Sequence, residues 1–254
     1  MKELMFCVIL MVTVAFDCSG WGPTGHRATG WIADRYLSKK ARSAVEKILN
    51  GETLAMASTW MDEIRSDSTY DYMADWHWVT IPPRQTYAST VKNPRGDIIQ
   101  TLEKIISALK TKKVSPKQEA EYLKILIHLT GDIHQPLHVG ARDDRGGNNI
   151  RVMWFNNNSN LHRVWDSDMI DDSRLSYTEL AQSLGTPSGE QVRIWQKASI
   201  QDWARESQSY EQEVYNYGNG KLGYRYAYVN FPIVRKRLLQ AGVRLAGILN
   251  DLYK

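Results

Sequence analysis

The sequence predicts an all-α fold, a single multi-helix domain with one small β-hairpin, and three observations carry that expectation. Apolar residues recur at helical spacing in long segments, as in Ile98, Leu102, Ile105 and Leu109, and again in Val234, Leu238, Leu245 and Leu249. Helix-start chemistry precedes several such segments, whereas a β pattern is confined to residues 149–165. No repeat, low-complexity tract or Pro/Gly-rich linker divides residues 21–254, so they read as one domain.

The elements follow in order. Lys2 precedes an apolar run from Met5 to Phe16, and the small residues Cys18-Ser19-Gly20 come before Trp21. Such a run suits the core of a signal peptide and is too short to span a bilayer, so residues 1–20 are expected to be removed on export. The cut would delete one lysine and two acids, taking the formal charge from +4 to +5. It would also delete Cys7 and Cys18, the only cysteines, which leaves an exported protein to rely on its core or on bound metals. Mild basicity suits an anionic substrate without specifying one.

Ser38 caps a helix that runs through Leu49 and stops at Asn50-Gly51. Asp97 to Lys113 forms the next, and Ser115-Pro116 opens a third, with proline at the tolerated first position. Gly189 to Tyr215 reads as a long polar helix or helix pair, and Pro232 to Leu252 closes the chain. The hairpin is expected to pair Asn149–Phe155 with Leu161–Trp165 across a polar turn at residues 156–160.

Chemistry concentrates in one stretch, His128-Leu-Thr-Gly-Asp132-Ile-His134-Gln-Pro136-Leu-His138, which holds three of the six histidines. On a helix, His128 and Asp132 share a face, and His134 points about 240° away from His128. Pro136 disturbs the helix and turns His138 toward something else. His162 and Asp166 repeat the four-residue spacing, while His26, Asp62 and His77 lie near tryptophans. Imidazoles and carboxylates without thiolates favour zinc over iron–sulfur or copper(I) chemistry. No His-Glu-x-x-His is present, which removes the common zinc-protease signature. Spacing alone points to a multinuclear metal hydrolase.

Trp21-Gly-x-x-Gly-His26, Trp60-x-Asp62, His77, the His128–His138 run, Gly146-Gly-Asn148 and His162-x-Val-Trp-Asp166 occur in this order, followed by Gln240-Ala-Gly-x-Arg244-Leu-Ala-x-x-Leu249-Asn250. In these motifs the chain resembles the zinc-dependent, single-strand-specific S1/P1 nucleases, also called class I nucleases or 3′-nucleotidases. The resemblance implies a helical domain of the phospholipase C/nuclease type and three zinc ions. One would be held by Asp62, His77, His128 and Asp132. A second would take His26, a bridging Asp132, and the α-amino nitrogen and carbonyl oxygen of Trp21. The third would use His138, His162 and Asp166, with His134 a bystander.

The implied reaction is hydrolysis of single-stranded DNA, RNA and 3′-nucleotides, leaving 5′-phosphate on strand products. Water shared by two zinc ions would attack, and the third ion would stabilise the departing 3′-oxygen. Arg65 stands where relatives place a cation that stabilises transition-state charge, and Asn148 where an asparagine contacts the phosphate. Trp78 matches an aromatic that stacks on a base. Thr80 replaces an acid or amide that reads the base edge, a departure that leaves base preference open. The nearest rival is a zinc phospholipase C, which typically carries Glu where Asp166 stands; a non-catalytic zinc-binding protein is the rival of another class. The expected setting is secreted, periplasmic or otherwise exported, with no stable membrane association.

Overall fold

The computed structural model describes residues 20–254. The expectation of a signal peptide therefore lies, except for Gly20, outside the described residues. The fold is mostly helical, as its periodicities predict. Four helices open the chain: α1 (Pro23–Arg35), α2 (Lys39–Ile48), α3 (Leu54–Ala57) and α4 (Trp60–Glu63). A stretch of 3-10 turns over Ser68–His77 leads to strand β1 (Val79–Thr80). Then come α5 (Ile98–Thr111), α6 (Pro116–Asp132), a 3-10 turn at Pro136–His138 and β2 (Val139–Gly140).

Strands β3 (Arg151–Trp154) and β4 (Asn157–Asn160) precede α7 (Leu161–Arg163), a π-helical turn at Val164–Asp168, and α8 (Met169–Asp171). The remainder is α9 (Tyr177–Ser183), α10 (Gly189–Lys197), α11 (Ile200–Gln208), α12 (Glu211–Val214), β5 (Lys221–Leu222) and the closing α13 (Tyr224–Leu252). No helix among the described residues is long and apolar enough to cross a membrane.

The expected caps are formed. The Ser38 hydroxyl accepts from the Ala41 amide at 3.2 Å, and the Ser115 hydroxyl from Gln118 at 3.2 Å. Asp97 accepts from the amides of Ile99 and Gln100, both at 2.9 Å. Asn50 and Gly51 end α2 region at positive φ, which blocks further α-helical propagation.

Two helical segments differ from the sequence reading. The polar stretch from Gly189 is broken into α10, α11 and α12. Ser199 and Asp202 form a reciprocal capping box that starts a new helix instead of continuing the old one. The last helix begins at Tyr224 and runs through Pro232. That proline withdraws the amide owed to the carbonyl of Tyr228, whose residue is 77% exposed, so water can serve the carbonyl.

The hairpin is tighter than expected. Its turn falls at Phe155-Asn156, with Phe155 at φ 52°, and the polar residues 157–160 form the second strand. Leu161–Trp165 is helical because the Asn160 side chain accepts from the Arg163 amide at 2.8 Å and starts a helix there. Strand β5 pairs in parallel with β3 to complete a three-stranded sheet, and β1 pairs in parallel with β2.

Helix α6 is the axis of the molecule. Every residue from Ile125 to Ala141 is buried, so its second half is enclosed on all sides rather than along one stripe. On one flank Leu102, Ile105, Leu123, Ile127 and Leu249 share a core. A second core gathers Trp21, Ile32, Trp165, Leu180 and Val234.

Helices α1 and α13 cross at close range because Gly242 faces Ile32; a Cβ there would lie 2.5 Å from the Ile32 Cβ and 2.9 Å from the Thr29 carbonyl. Gly242→Ala is therefore expected to cost about 1–3 kcal/mol through overpacking. Thermal denaturation checks this as a Tm drop of roughly 3–10 °C; an unchanged Tm would contradict the packing account.

Candidate metal centre

Eight of the nine residues singled out for metal binding offer side-chain donors, and these eight come from six separate stretches of the chain. Pro23 begins α1 and places His26 one turn in, facing inward with no exposure. Asp62 sits on α4, and His77 ends the 3-10 stretch. His128 and Asp132 occupy successive turns at the buried end of α6, and the next 3-10 turn brings His138 round. His162 lies on α7 and Asp166 in the π-helical turn, a local widening often found at functional sites.

These residues converge into three overlapping or adjacent groups: His26–Asp62–His128, His77–His128–Asp132 and His138–His162–Asp166. Asp132 is fully buried at the centre. Its Oδ1 lies 3.2 Å from His26 Nε2, and its Oδ2 lies 2.9 Å from His77 Nδ1 and 3.2 Å from His128 Nε2. The two oxygens thus face different imidazoles. Asp62 Oδ1 is 3.8 Å from His128 Nε2, and His162 Nε2 is 3.0 Å from Asp166 Oδ2.

The donor set fits cations. His138 and His162 each donate Nδ1–H to a carbonyl at 2.6 Å, of His77 and Gly146 respectively. That fixes each Nε2 as a lone pair in the neutral ring, yet these atoms face each other at 3.2 Å with a carboxylate beside them. His128 likewise gives its Nδ1–H to the Ser58 carbonyl at 2.7 Å and turns Nε2 into the group. Among the described residues, His26 Nδ1 and Nε2 and Asp132 Oδ1 are buried without a hydrogen-bond partner, and Asp62 Oδ1 has the Arg65 guanidinium at 3.2 Å beside it. The 3.2 Å approach of His26 to Asp132 is close but not aligned as a hydrogen bond. Buried nitrogen and oxygen acceptors held this close repel one another unless a positive charge lies between them. Nitrogen and oxygen donors in groups of three or four are the set that zinc takes.

Charge follows the same pattern. Burial would raise the Asp132 carboxyl, but His128, His26 and His77 outweigh it and hold it well below the usual range. Burial lowers His128, yet Asp132 and Asp62 prevail and bring it up to about 9. Burial lowers His138 to about 4 and raises Asp166 to about 6. His26 and His77 are also lowered, chiefly by burial.

His134 points elsewhere, as its helical angle predicts. Its Nδ1–H donates to the Thr130 carbonyl at 2.8 Å, and its Nε2 accepts from Arg244 Nη1 at 2.9 Å. Arg244 belongs to a buried network that sequence reading missed. Arg237 donates to the His134 carbonyl at 3.1 Å and to Ser207 Oγ at 2.6 Å, and Ser207 donates to the Ile133 carbonyl at 2.5 Å. Glu206 accepts from both guanidiniums, at 2.7 Å in each contact with Nη1. These groups satisfy carbonyls that α6 leaves unpaired at its end and place positive charge at the negative end of its dipole. They hold the corner between Asp132 and His138. The sequence signal was present as Gln240-x-x-x-Arg244, but its half-exposed counter-charge on α11, Glu206, was not visible.

An open cleft of about 660 Å³ lies over this centre, bordered by His77. Arg65, Trp78, Thr80 and Asn148 all line it, so the structure gathers the four further residues predicted from sequence. Arg65 Nη2 is 3.2 Å from Asp62 Oδ1, and Trp78 is 37% exposed. Asn148 Nδ2 donates to the Arg145 carbonyl at 3.0 Å. Trp21 is fully buried, its indole donating to the Gly131 carbonyl at 2.9 Å. Gly20, just before it, is pressed so closely onto the centre that a Cβ would lie 1.5 Å from Asp132 Oδ1. Gln135, not anticipated, donates to Asp166 Oδ1 at 2.6 Å.

A helical fold with convergent imidazoles and carboxylates beside a cleft belongs to the class of hydrolases. The sequence model of the S1/P1 nuclease family matches residues 21–254, and the chain belongs to that family: it is a nuclease acting on nucleic acids. It is 34% identical to "Endonuclease 3" of Arabidopsis thaliana, over 92% of this chain and 89% of that protein. It is 23% identical to "Nuclease S1" of Aspergillus oryzae over 91% of each. With "Nuclease P1" of Penicillium citrinum it shares 31% identity over 59% of this chain and 58% of the other.

Glu206→Gln leaves two buried guanidiniums without their shared counter-charge. Because the Glu206 side chain is 38% exposed, the expected loss is roughly 2–3 kcal/mol, below the range for fully buried pairs. Burial would raise the Glu206 carboxyl, but Arg244 and Arg237 hold it below 4.5. Its contribution is therefore complete above the unfolded value and disappears as pH falls through the lower folded one. Denaturation of wild type and variant should show a full gap at pH 7 that closes in acid. A gap independent of pH would contradict the assignment.

Proposed function

We propose that the chain is a zinc-dependent endonuclease that hydrolyses single-stranded DNA and RNA to products bearing 5′-phosphate and also acts on 3′-nucleotides. The observation that supports this most strongly is the facing of His138 and His162 Nε2 across 3.2 Å beside Asp166, with both Nδ1–H groups committed to carbonyls. One zinc ion would be held by Asp62, His77, His128 and Asp132, and a neighbour by His26, Asp132 and the α-amine and carbonyl of an N-terminal Trp21. A third would be held by His138, His162 and Asp166. When bound, such ions lower the pKa of the attacking water and neutralise charge on the departing 3′-oxygen.

The chain's own side chains supply the rest. Asp132, with one oxygen toward His26 and the other toward His77 and His128, would bridge the first two sites. Arg65, 3.2 Å from Asp62 at the cleft wall, adds positive charge where a phosphate becomes more negative. Asn148, which lines the same cleft, would contact the phosphate. Trp78 offers an indole face on which an unpaired base can stack, which favours single strands. Thr80 presents a hydroxyl to the base edge.

The role of Trp21 requires a cut before it, following export. Support comes from the burial of Trp21 and the closeness of Gly20 to Asp132. The expected sequence of events is secretion or transfer to another exported compartment, cleavage, then completion of the zinc set.

Dialysis against EDTA is expected to abolish cleavage of single-stranded DNA, RNA and 3′-AMP, and zinc to restore it. Strand products should carry 5′-phosphate; 3′-phosphate products, or activity confined to phosphatidylcholine, would overturn the reading. Asp132→Asn should lose metal from the paired sites and at least about a hundredfold in kcat, on the scale of removing a principal charge-stabilising group. Full activity with three zinc ions in that variant would refute the bridge. A chain carrying an extra residue before Trp21 should hold less zinc at the His26 site by elemental analysis, and equal zinc in both forms would refute the terminal ligand.

A further inference from the structure

The loop that carries Asn148 holds a cation to which neither the family resemblance nor the proposed reaction gives a role. Residues 145–147 all have positive φ: Arg145 at 56°, Gly146 at 60° and Gly147 at 80°. For glycine this is free, whereas for arginine it costs about 1 kcal/mol or more and persists only where the surroundings enforce it. Asp144 does the enforcing. Its Oδ1 accepts from the Gly147 amide at 2.9 Å, its Oδ2 from the Tyr215 hydroxyl at 2.7 Å, and its carbonyl from the Asn149 amide at 3.1 Å. The Arg145 carbonyl is held in turn by the Asn148 amide at 3.3 Å and side chain at 3.0 Å.

The result is an exposed guanidinium at the wall of the cleft, one residue from the Gly146 carbonyl that orients His162. Nearby arginines have counter-charges: Arg142 pairs with Glu211 at 2.7 Å, Arg163 with Asp168 at 3.3 Å and Arg65 with Asp62 at 3.2 Å. Among the described residues Arg145 pairs with no carboxylate. Arg151 lines the same cleft. A strained backbone that presents an uncompensated guanidinium into an anion-binding cleft is arranged for a ligand with a charge of its own.

We propose that Arg145 is a binding residue for a second phosphodiester, one next to the scissile phosphate in the same single strand. The inference rests on the nuclease reading above and deepens it. The site would grip a strand at two phosphates and so prefer oligonucleotides to a dinucleotide. The contact is a charge-assisted bond to a phosphate oxygen, for which the planar guanidinium is well shaped. It neither makes nor breaks a covalent bond.

The test compares the zinc-loaded mature protein with Arg145→Asn and Arg145→Lys. Asparagine tolerates the left-handed backbone and removes the charge; lysine keeps it. The readout is the ratio of kcat/KM for a single-stranded pentanucleotide to that for a dinucleoside monophosphate, which carries only the scissile phosphate. Arg145→Asn should lower this ratio about fivefold to tenfold, the scale of one charge-assisted contact in partial solvent. It should also flatten the logarithmic salt dependence of pentanucleotide binding by about 0.7, the value for one phosphate contact on a single strand. Arg145→Lys should keep most of that slope. A wild-type protein with no length preference, or a variant with the wild-type ratio and salt slope, overturns the proposal. A wild-type protein that cleaves neither substrate overturns the nuclease reading itself, a result distinct from either.

Discussion

The Asp132 carboxylate is the constraint around which this protein is organised. It is a fully buried acid at the end of a helix, with imidazoles of His26, His77 and His128 within 3.2 Å. A buried carboxylate without compensating charge is too costly to keep. The fold meets that demand by bringing α1, the 3-10 stretch before β1, and α6 to one point. Much else follows as support for that convergence: Trp21 pinned to Gly131, Ser58 holding His128, and an α6 terminus enclosed on every side.

The corner after Asp132 is the second level of organisation. Within six residues the chain must leave the helix, pass Pro136 and return an imidazole to a different group of donors. Loose carbonyls at a buried helix end would make that turn unstable. Arg237, Arg244, Ser207 and the His134 side chain occupy those carbonyls or the contacts beside them. The spacing between the Asp132 group and the His138–His162–Asp166 group is thus supported by an ionic cluster of Arg237, Arg244 and Glu206, none of which lines the cleft. Chemistry and stability are segregated across one helix end.

Much of the site was legible in the sequence because helical geometry is local. The shared face of His128 and Asp132, the divergence of His134 and the caps at Ser38, Asp97 and Ser115 need only spacing and side-chain type. Convergence of His26, Asp62, His77 and the His162 pair was available from motif order and not from periodicity, since those residues are far apart in the chain. The hairpin was misplaced because residues 157–160 are polar and resemble a turn; they form a strand through pairing with β3, and Asn160 then starts a helix that an apolar reading of 161–165 had made β. The Glu206 cluster and the strained Arg145 were invisible for a related reason. Each depends on partners, Glu206 to Arg244 and Asp144 to Tyr215, that only tertiary structure brings together.

Asp132 would serve two neighbouring cation sites, with a third lying apart among His138, His162 and Asp166. Anomalous diffraction at the zinc edge, from crystals of the chain beginning at Trp21, tests it directly. Three peaks are expected: two flanking the Asp132 carboxylate about 3.5–4 Å apart, as in paired-metal hydrolases, and one among His138, His162 and Asp166. A single peak, or a pair that does not share Asp132, would contradict it.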